Sequence, residues 1–152
     1  MRSLLEGLTT AAFFLFNPWS IAMANDNPYA ERSATVLPIT LEMDRGAADA
    51  LARRSLSDLQ AIYAQLQKEA DQSEELISDG GVACACDVAH SNLLIVIGFS
   101  INKLDGEGRY QDWMEDDSLG LLADYRQLVA ACGEDAQSPA FSGITDEMIE
   151  KL

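Results

Sequence analysis

The segment VACACDVAHSNLLIVIGFSINKL, residues 82–104, determines how the rest of the chain packs. Its residues at 93–99 are apolar on almost every side, which is typical of a helix buried among several neighbours. Turn-forming residues flank the segment, with SDGG at 78–81 and DGEG at 105–108. We therefore predict a central buried helix, although the pattern alone leaves a buried strand at 93–99 open.

A long amphipathic segment precedes the central helix. Between Asp44 and Ile77 the apolar residues recur at steps of three and four, so they share one face of a helix. The glycines at 80–81 end this helix. The run SLSD at 55–58 leaves a break into two helices open.

Two further helices are predicted after the central helix. The first begins near Tyr110 and carries an apolar stripe over 121–132, with a break at 116–120 left open. Gly133 is expected to end it. The second is a short helix at 145–152, with acidic residues in its first turn. Together these patterns predict an all-α bundle of about four helices, whose short loops place neighbouring helices antiparallel.

The N-terminal residues are typical of an export signal. An apolar run follows Arg2 and ends in AMA at 22–24, the small-x-small pattern that signal peptidase cleaves. We expect residues 1–24 to be a cleaved signal peptide, with an uncleaved anchor as the alternative. Residues 25–43 contain two prolines and no helical period, so an extended leader is predicted before a helical domain at 44–152.

Export has consequences for location. The apolar run of the central helix is shorter than the roughly 20 residues that a membrane span requires. We therefore expect a periplasmic protein without stable membrane insertion after cleavage, and secretion is the alternative. An oxidising compartment of this kind also favours disulfides.

The chain is strongly acidic. It has 25 Asp and Glu residues against 10 Lys and Arg residues, and its formal net charge is −15. Such a surface repels nucleic acid and anionic lipid, and it favours basic protein partners or divalent cations. We expect a protein partner or unfolded client proteins, a homodimer remains open, and no nucleic acid is expected because the chain has no basic patch.

The three cysteines predict one disulfide. Cys84 and Cys86 lie at the start of the central helix, and Cys132 lies at the end of the next helix. Antiparallel neighbours bring these two ends together, so Cys132 is expected to bond with one member of the pair. Counting residues outward from the turn favours Cys84, whereas Cys86 shares a helical face with apolar positions. Both pairings stay open.

Metal binding and redox exchange are the alternative interpretations of the same residues. Cys86 and His90 are four positions apart, so a zinc or copper site would use Cys84, Cys86, His90 and Cys132 as its ligands. The C-x-C spacing differs from the usual C-x2-C knuckle, and no thioredoxin-like βαβ pattern surrounds the pair. We therefore expect no metal at these residues.

Motifs for catalysis are missing as well. The sequence contains no glycine-rich phosphate loop and no nucleophile elbow, and DGEG lacks the remaining ligands of a calcium loop. The acidic pairs at 74–75 and 116–117 are adjacent in sequence, so on a helix they point in different directions. We expect a non-enzymatic binding protein without a cofactor.

Three segments after the first cysteines follow a recognisable order. They are IGFSINKL at 97–104, LLADYRQLVAACGED at 121–135 and FSGI at 141–144. Over about 82–144 this order resembles the HdeA-type periplasmic acid-stress chaperones.

The resemblance implies a small exported helical protein with one disulfide, between Cys84 or Cys86 and Cys132. It also implies an ATP-independent chaperone that loosens at low pH and exposes apolar surface to unfolding clients. Charge, size and export support a competing hypothesis, an immunity or inhibitor protein that neutralises a basic envelope-acting enzyme or toxin. The third hypothesis is a structural subunit of an envelope complex.

Overall fold

The computed structural model describes residues 27–106 and 111–152, which form five α-helices joined by short connections. The helices are α1 (Ala30–Arg53), α2 (Leu56–Ser78), α3 (Ala85–Asp105), α4 (Asp112–Asp135) and α5 (Asp146–Glu150). These described ranges contain no strand, so the predicted all-α bundle is confirmed. The predicted signal peptide lies outside the described residues.

The predicted central helix is α3, and its strand alternative is wrong. Leu93, Val96 and Ile97 are fully buried. The helix packs mainly on α2 and α4, with α1 also in contact. By length and composition alone, α3 is the one helix in the described part of the chain that could cross a membrane. Here its apolar residues belong to the core shared by the four long helices.

The prediction of an extended leader is wrong from residue 30 onward, because α1 begins at Ala30. The buried residues of α1 do recur at helical spacing, but Ser33, Thr40 and Asp44 are among them, so the stripe is not apolar throughout. Pro38 lies inside the helix on its exposed side. An interior proline costs about 3 kcal/mol, and we attribute its acceptance here to burial of the stripe.

The helix expected over 44–77 is divided between α1 and α2. Arg54 takes a left-handed conformation with φ 53°, and its backbone N–H is bonded to the last turn of α1. Ser55 is extended and precedes α2 as its N-cap residue. The alternative that left a break open at SLSD is therefore the correct one.

The helix α4 is continuous, so no break occurs at 116–120. It begins at Asp112; Tyr110, the expected start, is outside the described residues. Gly133 does not end it, because the helix continues to Asp135. A Cβ atom at Gly133 would lie 2.7 Å from the backbone nitrogen of Ala140. Glycine is needed there because the returning chain packs directly on the helix.

The C-terminal residues close one end of the bundle. Ile144 and Ile149 are buried in the core, and α5 confirms the short helix that was expected there. The guanidinium of Arg126 donates two hydrogen bonds to the carbonyl oxygen of Ile144 and also pairs with Asp146. These contacts fix the C-terminal segment against α4.

Candidate functional site

The disulfide joins Cys86, in the first turn of α3, to Cys132, near the end of α4. The expected link between these two helix ends is therefore confirmed, but the preference for Cys84 is wrong. Cys84 is the extended N-cap residue, so it precedes the helix, whereas Cys86 lies on the face that carries Leu93 and Ile97. The residue count also assumed turn edges at Leu104 and Arg109, whereas α3 ends at Asp105 and α4 begins at Asp112.

The third cysteine remains beside the disulfide. Cys84 is a free thiol and is buried, and its sulfur lies within 4.8 Å of the disulfide-bonded sulfurs of Cys86 and Cys132. Three of the four residues in the alternative metal site are thus brought together. His90 is not part of this group, because its ring is hydrogen-bonded to Thr40 of α1.

His90 is buried between α3 and α1. Its Nε2 lies 2.9 Å from the hydroxyl oxygen of Thr40, and that hydroxyl donates to the carbonyl oxygen of Val36. The hydroxyl therefore accepts a hydrogen bond from Nε2, which places a proton on that nitrogen. Nδ1 is buried and has no hydrogen-bond partner among the described residues. Burial lowers the pKa of His90 to about 4, with the Arg32 charge adding to this effect and Asp87 opposing it.

Asp87 joins three helices in the first turn of α3. Its carboxylate accepts hydrogen bonds from Arg32 of α1 at 2.6 and 3.2 Å, from Ser73 of α2 at 2.8 Å, and from the backbone N–H of Cys84 at 2.8 Å. Burial alone would raise the pKa of this carboxyl. The hydrogen bonds, of which the one from Arg32 is the strongest influence, outweigh burial and lower the pKa of Asp87 to about 2.

Asp44 makes a similar junction between α1, α4 and the C-terminal segment. It accepts hydrogen bonds from the Tyr125 hydroxyl at 2.9 Å, the Ser142 hydroxyl at 2.5 Å and the Gly143 backbone N–H at 2.7 Å. Burial, together with the Asp44 carboxylate, raises the pKa of Tyr125, so the phenol remains a donor. The sequence does not indicate this junction, because Asp44 has no chemical motif around it and its partners are more than 80 residues away.

Three buried polar contacts therefore attach α1 to the rest of the bundle, and we call them the α1 contacts. They are Arg32–Asp87, Thr40–His90 and Asp44–Tyr125. Two of them contain a buried group with a shifted pKa, the carboxyl of Asp87 and the imidazole of His90.

A groove opens between the end of α2 and the start of α3, and we call it the α2–α3 groove. Its volume is about 450 Å³. Apolar Ile77 and Val88 line it and are 56% and 49% exposed. The acidic residues Asp71 and Glu74 also line it. A concave apolar surface with an acidic edge is suited to a basic, partly apolar protein segment.

Comparison of the chain with protein-family models, curated proteins and solved structures found no match. The resemblance of 82–144 to HdeA-type chaperones therefore stays a prediction.

Proposed function

We propose that this protein is an exported, non-enzymatic binding protein that acts as an acid-responsive, ATP-independent chaperone. The observation that carries the proposal is the attachment of α1 through the three α1 contacts. Two of these contacts, at Asp87 and His90, depend on the protonation state of a buried side chain.

The contact at His90 loses its stabilising effect in mild acid. The pKa of His90 is about 4 in the folded chain and 6.5 for an unperturbed imidazole, so the unfolded chain binds the proton more tightly. Stability therefore falls as the pH drops from about 6.5 towards 4. Over this range the free energy of unfolding falls by about 3 kcal/mol.

The contact at Asp87 responds at lower pH. Its pKa is about 2 in the folded chain against the ordinary value of 3.8, so its contribution is present above pH 4 and is lost as the pH falls through 2. Protonation of Asp87 thus lowers the free energy of unfolding by about 2 kcal/mol. The two steps together are a large part of the 5–15 kcal/mol that is usual for a small protein.

Release of α1 would expose a large apolar surface. Val36, Leu37, Met43 and Leu51 lie on its inner face and are buried in the neutral fold. The α3–α4 pair would remain joined by the disulfide, which tolerates acid. Acid would thus convert a closed bundle into a partly open one with exposed apolar residues, which is the form that binds unfolded clients.

A client assay tests this proposal. The oxidised protein is mixed at about pH 3 and at pH 7 with an unrelated protein that aggregates in acid, and light scattering and dye binding to apolar surface are recorded. We expect suppression of aggregation and dye binding at the lower pH only. His90→Gln, which removes the imidazole, should need a lower pH for the same effect, and Asp49→Asn at an exposed position is the control. A protein that opens in acid without suppressing aggregation would contradict the proposal.

The α2–α3 groove supports a second candidate, an inhibitor of a basic envelope enzyme. Such a complex would form at neutral pH in a one-to-one ratio and weaken steeply with salt. Glu74→Lys in the groove should weaken it, whereas Asp124→Lys on exposed α4 should not. If no single basic partner binds at neutral pH, this candidate is excluded.

A further inference from the structure

The three sulfur atoms at the junction of α3 and α4 have a chemical consequence that is separate from the chaperone proposal. A free thiol and both sulfurs of the disulfide lie within 4.8 Å of one another. Thiol–disulfide exchange requires a thiolate that can approach a disulfide sulfur, and a change of the Cys84 side-chain rotamer would close the remaining distance. Cys84 is therefore placed to react within the molecule.

We propose that Cys84, Cys86 and Cys132 form an internal thiol–disulfide exchange site, in which Cys84 and Cys86 alternate as the partner of Cys132. The Cys84 thiol loses its proton, and the thiolate attacks the sulfur of Cys132. The Cys84–Cys132 bond forms as the Cys86–Cys132 bond breaks. Cys86 leaves as a thiolate and takes up a proton. One disulfide and one thiol are present before and after, so no oxidant or reductant is consumed.

Both pairings would join the same two helix ends. Cys84 is the N-cap of α3 and Cys86 is in its first turn, so either residue lies at the helix start. The link between the start of α3 and the end of α4 is therefore kept in both forms. External thiols have little access, because Cys84 is 2% exposed and the other two cysteines are fully buried. Exchange within the cluster is thus favoured over exchange with molecules in solution.

The surroundings of Cys84 make the exchange slow at neutral pH. Burial raises the pKa of the thiol, and the negative charge of Asp87 acts in the same direction. The Asp87 backbone N–H and the positive charge of Arg32 favour the thiolate. The exchange should therefore accelerate in alkaline solution and stop in acid, where the pairing is retained.

Peptide mapping of the oxidised wild-type protein tests the proposal. The protein is incubated at about pH 8.5 without added thiol, quenched in acid and digested with pepsin, and tandem mass spectrometry locates the free thiol. We expect the free thiol to be on Cys84 at first and on Cys86 in roughly a tenth of the molecules or more after incubation, which corresponds to pairings that differ by about 1.4 kcal/mol or less. A free thiol that stays on Cys84 alone would overturn the proposal.

Single substitutions provide the second measurement. After refolding in a glutathione buffer, Cys86→Ser should form the Cys84–Cys132 bond, and Cys84→Ser should form the Cys86–Cys132 bond. Cys132→Ser should lose the link to α4. A Cys86→Ser protein with the wild-type circular dichroism and two free thiols would contradict the proposal, and if this variant does not fold, the wild-type incubation decides.

Discussion

Gly133 shows at the scale of a single residue how closely α4 and the returning chain pack. A Cβ atom at this position would lie 2.7 Å from the nitrogen of Ala140 and 2.8 Å from the carbonyl oxygen of Ser138. Both are backbone atoms, so they cannot rotate away as a side chain does. We expect Gly133→Ala to lower the free energy of unfolding by about 1–3 kcal/mol.

Gly120 in the same helix provides the matched control. A Cβ atom there would have no neighbour within 4 Å, so Gly120→Ala gains helix propensity without a clash. It should raise the free energy of unfolding by up to about 1 kcal/mol. Urea denaturation followed by circular dichroism measures both variants. Equal effects would contradict the packing of residues 138–140 on α4.

His90 is the only histidine in the chain, so its titration can be followed without ambiguity. We expect its ring proton resonance in an NMR titration to move with a pKa near 4, because burial disfavours the charged imidazole. In His90→Gln, the loss of stability between pH 6.5 and pH 4 should be smaller by up to about 3 kcal/mol. A midpoint near 6.5 in the folded protein would mean that the ring is not buried against Thr40.

The chemistry of these residues was only partly predictable from the sequence. The cysteines could be assigned to two helix ends, but choosing between Cys84 and Cys86 required the exact start of α3. The role of His90 could not be predicted, because its partner Thr40 lies in a segment that was expected to be extended. Polar contacts over 50 or more residues leave no local pattern in the sequence.

At the scale of elements, α1 is the largest difference between expectation and structure. Its buried face combines apolar residues with Ser33, Thr40 and Asp44, so a search for apolar periodicity does not detect it. Pro38, which is unfavourable inside a helix, also favoured the prediction of an extended segment. By contrast, the 93–97 stretch of α3 and the second half of α4 were predictable, since Leu93, Val96 and Ile97 are buried and the buried residues of α4 from Leu122 onward are apolar, aromatic, cysteine or glycine.

Pro38→Ala tests whether α1 is continuous through residue 38. Pro38 is exposed and lacks the N–H that an interior helical residue donates, so alanine should restore a hydrogen bond without loss of packing. We expect thermal or urea unfolding to show a gain of about 1–3 kcal/mol. Pro28→Ala, at an exposed turn before the helix, is the control and should change stability by less than about 0.5 kcal/mol. Destabilisation by Pro38→Ala would argue for an extended conformation there.

At the scale of the whole molecule, two kinds of link hold the bundle together. A covalent bond joins α3 to α4, whereas the polar α1 contacts join α1 to the remaining helices. The all-α class and the two helix ends that the disulfide joins were predictable from periodicity and the cysteine positions. The sequence did not predict that polar side chains would attach α1 while a disulfide joins α3 to α4. That arrangement depends on which buried side chains meet in three dimensions.

Hydrogen–deuterium exchange of the oxidised protein at pH 7 and at about pH 3 is the most direct test of the acid-responsive account. After correction for the intrinsic pH dependence of exchange, we expect the amides of α1 to lose protection in acid while those around Cys86 and Cys132 keep it. Full protection of α1 at about pH 3, or equal loss in all helices, would contradict the claim that acid releases α1 from a disulfide-linked core.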